Sequence, residues 1–241
     1  MQKDVYLYNK IMAIRKIPFT QGEYYHVYNR GNSKQKIFLD NEDYYHFLEC
    51  LYIFNTYKSF KIRDELHRLK IKSYDFDREV LLVSIGSWVL MPNHFHIYVM
   101  INPHKSDLCK KGKNNISEYM RKVLTAYSKY FNKKYERTGG LFEGKFKSVH
   151  IEDDKQAKYL FSYIHLNPIK LIQKNWKEEG IKDKNNALEF LDKYKWSSYL
   201  DYKGVERKEN KILNKEDFPD YFNGIKNFDK EILEWLKYRE E

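Results

Sequence analysis

The chain has 241 residues, 42% of them hydrophobic and 17% aromatic, and it carries a formal net charge of +10. This length allows a sizeable buried core in one main domain with a C-terminal appendage. No apolar run approaches the ~18 residues that predict a membrane span, and no signal-peptide pattern opens the chain, so we expect a cytoplasmic protein without a membrane partner. The two cysteines, Cys50 and Cys109, fit no metal or redox spacing.

The positive charge is concentrated in one part of the chain. Residues 103–150 contain 12 Lys and Arg against 4 Asp and Glu, a net charge of +8, and aromatic residues are interspersed among these cations. Such a mixture favours a surface that follows a phosphate backbone and stacks unpaired bases. The alternative is a solvated basic face in front of a tyrosine-rich core.

The first predicted element is a strand over residues 23–28, which ends at a turn cluster over residues 29–33. Arg30 in this cluster lies beside Gly31 and could bind a phosphate next to accessible backbone amides. An ordinary hairpin turn is the alternative. We expect His26 to be a packed strand residue more than a metal ligand.

A helix and a hairpin should follow. Asp40 or Asn41 can cap an amphipathic helix that covers one face of a sheet, and a more charged helical stretch is expected over residues 62–71. Residues 79–90 and 94–100 then predict two antiparallel strands that are joined by a Pro-Asn turn. We expect this hairpin to be the centre of the sheet.

The second strand of the hairpin carries two histidines, His94 and His96. Because side chains alternate along a strand, both should point to one face while Phe95, Ile97 and Val99 point into a core. Two imidazoles separated by two strand steps of about 3.3 Å can converge on one metal ion if a third ligand comes from elsewhere.

A lysine-rich loop over residues 105–115 leads to a long amphipathic helix over residues 118–135, and residues 141–151 predict another strand. Two lysines should share one face of that strand and could lie against a nucleic-acid backbone, or they could form the solvent face of an edge strand. The cations of these elements that we expect to contact nucleic acid, together with Arg30, are Arg121, Lys122, Lys145 and Lys147.

A further helix begins after a capping aspartate and should end at Asn167, because Pro168 disfavours the helical conformation of the residue before it. Its packing face consists of Ala157, Leu160, Phe161 and Ile164. Tyr159, Tyr163 and Asn167 form a second stripe along one flank. A helix packed on the sheet in this way can place the Tyr163 hydroxyl and the Asn167 amide oxygen beside the two histidines.

These residues permit one kind of chemistry in particular. A tyrosine is a poor nucleophile at neutral pH, but a divalent cation that polarises a phosphate makes its attack feasible. Two histidines and an amide oxygen leave positions for phosphate oxygens and water, and suit weakly held Mg²⁺ or Mn²⁺ more than structural Zn²⁺. The product would be a phosphotyrosine that keeps the energy of the phosphodiester, so that the strand could be rejoined.

As a set, the motifs resemble those of the single-tyrosine HUH transposases, and in particular of the REP-associated tyrosine transposases. Five motifs occur in the order and at about the spacing of that family: YHVYNRGN at residues 25–32, MPNHFH at 91–96, GLFEGKFK at 140–147, YIHLNP at 163–168 and WSSY at 196–199.

The resemblance implies an α+β, ferredoxin-like or RRM-like fold: a central antiparallel sheet with helices packed on one or both faces. It implies His94, His96 and Asn167 as metal ligands, Tyr163 as the nucleophile, and single-stranded DNA with a foldback hairpin as the substrate. The family usually has glutamine and arginine where this chain has Glu143 and Lys145. A carboxylate there would weaken phosphate contacts, and lysine lacks the bidentate guanidinium.

The resemblance divides the chain into an N-terminal arm (residues 1–13), the transposase-like domain (14–202) and a helical C-terminal extension (203–241), which could pack on the main domain or on a partner. Monomer and homodimer both stay open. The main alternative function is a non-catalytic binder of single-stranded nucleic acid that stacks bases on an RRM-like sheet. A metal-dependent nuclease that uses water is a third possibility.

Overall fold

The protein is described here by a computed structural model, which covers residues 18–58, 68, 70–101, 115–220 and 227–238. Within these ranges the chain forms a four-stranded antiparallel sheet with helices on both faces. The elements around the sheet follow one another as strand, helix, two strands, helix and strand, which is the ferredoxin-like order. The predicted α+β class is confirmed.

The strands are β1 (Tyr24–Arg30), β2 (Ser84–Met91), β3 (His94–Met100) and β4 (Lys147–Ile151). The helices that pack on the sheet are α1 (Asn41–Ile53), α2 (Asn115–Lys134) and α3 (Asp154–Leu166). Shorter helices follow as α4 (Trp176–Glu179), α5 (Lys184–Lys193), α6 (Tyr199–Tyr202) and α7 (Phe228–Glu234). None of the helices in the described ranges is long and apolar enough to cross a bilayer.

Local signals explain where the sheet-packing helices begin. Asp40 accepts a hydrogen bond from the Asp43 amide and completes a capping box at the start of α1. Asp153 accepts from the Gln156 amide at 2.8 Å and caps α3. The capping predictions for these two helices are therefore confirmed.

The strand order is β2-β3-β1-β4, so the β2–β3 hairpin is not the centre of the sheet and that prediction is wrong. Helix α1 connects β1 to β2, but these two strands do not pair with each other. β3 turns back from β2 and lies between β2 and β1. The outer edge of β2 is covered by the segment that contains the WSSY motif. There the Trp196 carbonyl accepts from the Leu90 amide at 2.8 Å, and the Ser198 amide donates to the Trp88 carbonyl at 2.9 Å.

The two faces of the sheet belong to different cores. Phe95, Ile97 and Val99 of β3 pack with residues of α1 and α2 on one face. Tyr98 and Met100 pack with residues of α3 on the other face. This is the alternation that the β3 sequence predicted, and it leaves the face of His94 and His96 toward α3.

Two strands differ in length from the prediction. β1 continues to Arg30, and the chain then enters a 3₁₀ turn (Asn32–Lys34) and not a hairpin. β4 begins only at Lys147, because the residues before it bend around Gly144, which has a φ of 65°. Lys145 therefore precedes the strand and does not share a strand face with Lys147, contrary to our expectation.

The described part of the C-terminal extension packs on the main domain. Phe228 and Trp235 lie against Phe161 of α3, with ring centres 6.2 and 5.9 Å apart. The Phe218 ring covers the backbone of Gly86 in β2, where a Cβ atom would lie 2.6 Å from the ring. Cys50 is a buried free thiol. The N-terminal arm, most of the predicted helix at 62–71, the lysine-rich loop and Cys109 lie outside the described residues.

Candidate active site

The site begins with the pairing of β3 and β1. Arg30 lies opposite His94, and Tyr28 lies opposite His96. Directly paired residues of an antiparallel sheet point to the same face, so these four side chains all lie on the α3 face. The two imidazoles have their ring centres 5.1 Å apart and stand nearly perpendicular, at 85°.

Helix α3 brings Tyr163 to the same place. The Tyr163 side chain is 9% exposed, and its hydroxyl lies 3.4 Å from His96 Nε2. Tyr159, one turn earlier, stacks nearly parallel to Tyr163 with ring centres 6.3 Å apart. The Tyr163 hydroxyl therefore lies within reach of the His96 imidazole.

Asn167 lies one turn beyond Tyr163, in a conformation that the sequence did not predict. It keeps helical angles, with φ −54° and ψ −38°. Pro168 follows in the first turn of a 3₁₀ helix (Asn167–Leu171), where its missing N–H donor is not required. Asn167 and Pro168 are both buried, and this packing outweighs the steric preference of a residue before proline. Asn167 is 1% exposed, and its Oδ1 accepts no hydrogen bond of normal geometry from the described residues, although its side chain lies close enough to His94 to influence the pKa of that imidazole. A buried acceptor without a donor is costly, and a cation would satisfy it.

The β2–β3 turn orients the first histidine. His94 Nδ1 lies 2.6 Å from Asn93 Oδ1, while Asn93 Nδ2 donates to the Lys34 carbonyl at 3.2 Å. Because the amide nitrogen is used in that way, Asn93 Oδ1 must accept from His94, which then carries its proton on Nδ1. The lone pair of His94 Nε2 is left available for a ligand. Partners of this kind commonly orient metal-binding histidines.

The environment keeps both imidazoles neutral. Burial lowers the pKa of His94 to about 4, although the neighbouring Asn167 opposes this shift. Burial also holds the pKa of His96 well below its ordinary range. A neutral imidazole is the form that binds metals, so both histidines are in the required state at pH 7.

Together these residues fit a weakly held divalent cation. They provide two neutral imidazoles and one amide oxygen that lacks a donor. No three His, Cys, Asp or Glu side chains in the described part of the chain are arranged to hold a metal ion. His94, His96 and Asn167 include no thiolate or carboxylate. They therefore suit Mg²⁺ or Mn²⁺, with water and phosphate oxygens as the other ligands, better than structural Zn²⁺.

A cleft of about 780 Å³ opens beside the site, and His94, His96 and Tyr163 contribute to its wall. A single carboxylate, Glu143, is among the described residues that line it. The cations that line the cleft are Arg30, Lys34, Lys36, Lys147, Lys170 and Lys174. The cleft therefore has the charge expected of a binding site for a phosphate backbone.

Two of the predicted nucleic-acid contacts, Arg30 and Lys147, line this cleft. Lys145 is exposed in the bend before β4 and is not part of the lining. Whether it contacts nucleic acid stays a prediction.

The structure does not bring the other two, Arg121 and Lys122, to the cleft. Both belong to α2, which packs on the opposite face of the sheet. Arg121 pairs with Glu118 at 2.8 Å, and Lys122 donates to the Thr56 carbonyl at 2.7 Å. Whether either residue contacts nucleic acid stays a prediction.

Several residues of the site were not predicted from the sequence. Lys170 follows Asn167 by three residues, a spacing that continues the flank stripe of α3 and could have identified it. Lys177 at the start of α4 has its ammonium 3.7 Å from the centre of the Tyr163 ring, a cation–π contact. Nothing in the local pattern predicted this contact, because it depends on how distant segments pack. Asn93 is adjacent to His94, but the orientation of its amide depends on the distant Lys34 carbonyl.

Comparisons with known proteins add little beyond this geometry. No protein-family model matches the chain, and no curated protein matches its sequence. Among solved structures, the chain is similar to a REP-associated tyrosine transposase bound to a REP hairpin, with 14% identity and a TM-score of 0.46. The match covers 82% of this chain and 90% of that one. A likeness at this level concerns the general course of the chain and assigns no role to any residue.

Proposed function

We propose that the protein is a metal-dependent transposase or endonuclease that cleaves and rejoins single-stranded DNA through a covalent 5′-phosphotyrosine at Tyr163. The observation that carries the proposal is the contact of the Tyr163 hydroxyl with His96 Nε2, at 3.4 Å, in the wall of a basic cleft, with the buried Asn167 side chain beside His94. The motif resemblance supports the same assignment and favours hairpin-forming DNA as the substrate.

In the proposed reaction, the Tyr163 oxygen attacks a backbone phosphorus and the bond from phosphorus to the 3′-oxygen breaks. The phenol loses its proton, and the departing 3′-oxygen takes up a proton and becomes a hydroxyl. The reverse attack by a 3′-hydroxyl on the phosphotyrosine rejoins a strand and restores the phenol. A Mg²⁺ or Mn²⁺ ion held by His94, His96 and Asn167 would supply the positive charge that polarises the phosphate.

Other residues of the chain prepare this step. The largely buried Tyr163 is held between α3 and β3, so its hydroxyl is oriented before DNA binds. The Lys177 ammonium over its ring favours negative charge on the phenol oxygen. The cations along the cleft can bind the phosphates on either side of the scissile one.

The geometry argues against the non-catalytic alternative in its RRM-like form. Base stacking on such a sheet requires aromatic side chains on an open face. Here both faces are covered, and Tyr98 on one face and Phe95 on the other are each 0% exposed. A non-catalytic binder on this fold would have to use the cleft and its cations. Such binding would not require the buried contact between Tyr163 and His96.

The decisive experiment is a denaturing gel of a labelled single-stranded hairpin incubated with protein and Mn²⁺. We expect a covalent protein–DNA adduct with the wild-type protein and with Tyr159→Phe, but none with Tyr163→Phe, which removes one oxygen and keeps the packing. With EDTA present from the start of the incubation, the wild-type protein should form no adduct. Cleavage without an adduct would indicate a nuclease that uses water, and binding without cleavage would indicate the non-catalytic alternative.

A further inference from the structure

His26 lies on β1 beside one of the proposed ligands, and the site described so far does not use it. It is 3% exposed, and its Nε2 lies 2.8 Å from His96 Nδ1. The two rings are stacked with centres 5.0 Å apart and an angle of 27°. The Tyr28 ring also stacks on the His26 ring, with ring centres 4.8 Å apart. Water therefore has little access to the hydrogen bond between the two imidazoles.

Only one proton can lie between the two nitrogens, and its position decides what His96 can do. If His26 Nε2–H donates to His96 Nδ1, a neutral His96 carries its own proton on Nε2 and has no free lone pair there. If His96 Nδ1–H donates to His26 Nε2, the lone pair of His96 Nε2 is free. His26 can accept this proton when its own proton is on Nδ1, which leaves the lone pair of His26 Nε2 facing His96 Nδ1 at 2.8 Å.

We propose that His26 is a positioning residue that accepts the Nδ1 proton of His96 and so holds His96 in the tautomer that can bind a metal ion through Nε2. The proposal rests on the proposed function, because it concerns the same metal site. Asn93 has the corresponding relation to His94 at 2.6 Å, so both imidazoles would present Nε2 to the ion. The acceptors for metal-binding histidines are usually a carboxylate, a backbone carbonyl or water. A neutral imidazole in this position adds no negative charge, which suits a weakly held ion.

The test separates the acceptor function of His26 from its bulk. His26→Phe keeps a ring of similar size and removes the acceptor, whereas His26→Gln can place an amide oxygen where Nε2 lies. His150→Phe is the matched control, since His150 lies on the neighbouring strand β4 opposite Tyr25 and faces the other core. Two quantities are measured on each folded variant: the affinity for Mn²⁺ by calorimetry, and the His96 tautomer in the metal-free protein by ¹⁵N NMR of labelled histidines.

We expect His96 to carry its proton on Nδ1 in the wild-type protein and in His26→Gln, and on Nε2 in His26→Phe. The Mn²⁺ affinity of His26→Phe should fall about 10- to 100-fold, as is usual for loss of such a partner, whereas His26→Gln should restore most of it and His150→Phe should resemble the wild type. A wild-type His96 protonated on Nε2, or an unchanged affinity in His26→Phe, would overturn the proposal.

The same measurements distinguish this proposal from the proposed function. If the wild-type protein binds no Mn²⁺, or if His94→Ala binds it as well as the wild type, the metal site is wrong. The tautomer of His96 in the metal-free wild-type protein still decides the role of His26, and that spectrum does not depend on whether His26→Phe folds.

Discussion

Arg30 and Glu143 form a two-point ion pair in the wall of the cleft. Arg30 Nε donates to one carboxylate oxygen, and a terminal guanidinium nitrogen donates to the other at 2.9 Å. Both side chains are partly exposed, 45% for Arg30 and 37% for Glu143. This carboxylate stands where the resembled family usually has glutamine, and it occupies the guanidinium face that a phosphate would use.

We predict that Glu143→Gln increases the affinity for single-stranded DNA several-fold at low salt, because it releases Arg30 and removes a negative charge from the cleft. An exposed pair of this kind contributes only about 0–1 kcal/mol to stability, so the melting temperature should change little. Fluorescence anisotropy with a labelled oligonucleotide measures the affinity.

The control for this prediction is the same substitution in an Arg30→Gln background. There the gain from Glu143→Gln should be clearly smaller, because no guanidinium is left to release. An equal gain in both backgrounds would mean that the carboxylate acts only through its charge and that the pair itself has no role.

Asn167 should determine metal affinity through its amide oxygen. We predict that Asn167→Leu, which has a similar volume and no oxygen, weakens Mn²⁺ binding at least about 10-fold, whereas Asn167→Asp, which keeps an oxygen and adds charge, retains it. Calorimetry with Mn²⁺ measures the affinity, and the affinity of Asn167→Leu for DNA without metal is the control. Wild-type Mn²⁺ binding by Asn167→Leu would remove Asn167 from the ligand set.

The cleft lysines should account for much of the salt dependence of DNA binding. We predict that each of Lys170→Ala and Lys174→Ala reduces the slope of log affinity against log salt by about 0.7, the value for one phosphate contact on a single strand. Arg121→Ala is the control, because Arg121 pairs with Glu118 on the helix that packs on the opposite face. A change of slope with Arg121→Ala and none with the two lysines would place the DNA on that other face.

Stability should decrease in mild acid, and His165 offers a test. His165 is 0% exposed, its Nε2 lies 2.8 Å from Ser198 Oγ, and burial lowers its pKa to about 3. Below about pH 6.5 the unfolded chain binds a proton that the folded protein does not, so the free energy of unfolding falls by about 1.4 kcal/mol per pH unit for this residue, down to about pH 3.

His165→Gln keeps a polar group for Ser198 and cannot take up this proton. We therefore predict that its unfolding free energy declines less steeply between pH 6.5 and 5, by about one proton, than that of the wild type. Urea unfolding at several pH values measures the two slopes. Equal slopes would show that His165 titrates similarly in the folded and unfolded states.

The local geometry of the site could be predicted from sequence periodicity. Alternation along β3 predicted that His94 and His96 share one face, and helical spacing predicted that Tyr163 and Asn167 lie along one flank of α3. Both predictions use only the side-chain periodicity within one strand or one helix, which residues close in sequence specify. The capping aspartates and the packing face of α3 could be predicted for the same reason.

The surroundings of these residues depend on how distant segments pack and could not be predicted from local patterns. The sheet order and the β1–β3 register place Arg30 and Tyr28 opposite the two histidines, and the same pairing brings His26 against His96. Strand order depends on which crossover the chain takes, and register depends on the burial of a whole face. The donor-less Asn167 oxygen and the cleft lysines also arise from segments that are far apart in sequence and meet only when they pack.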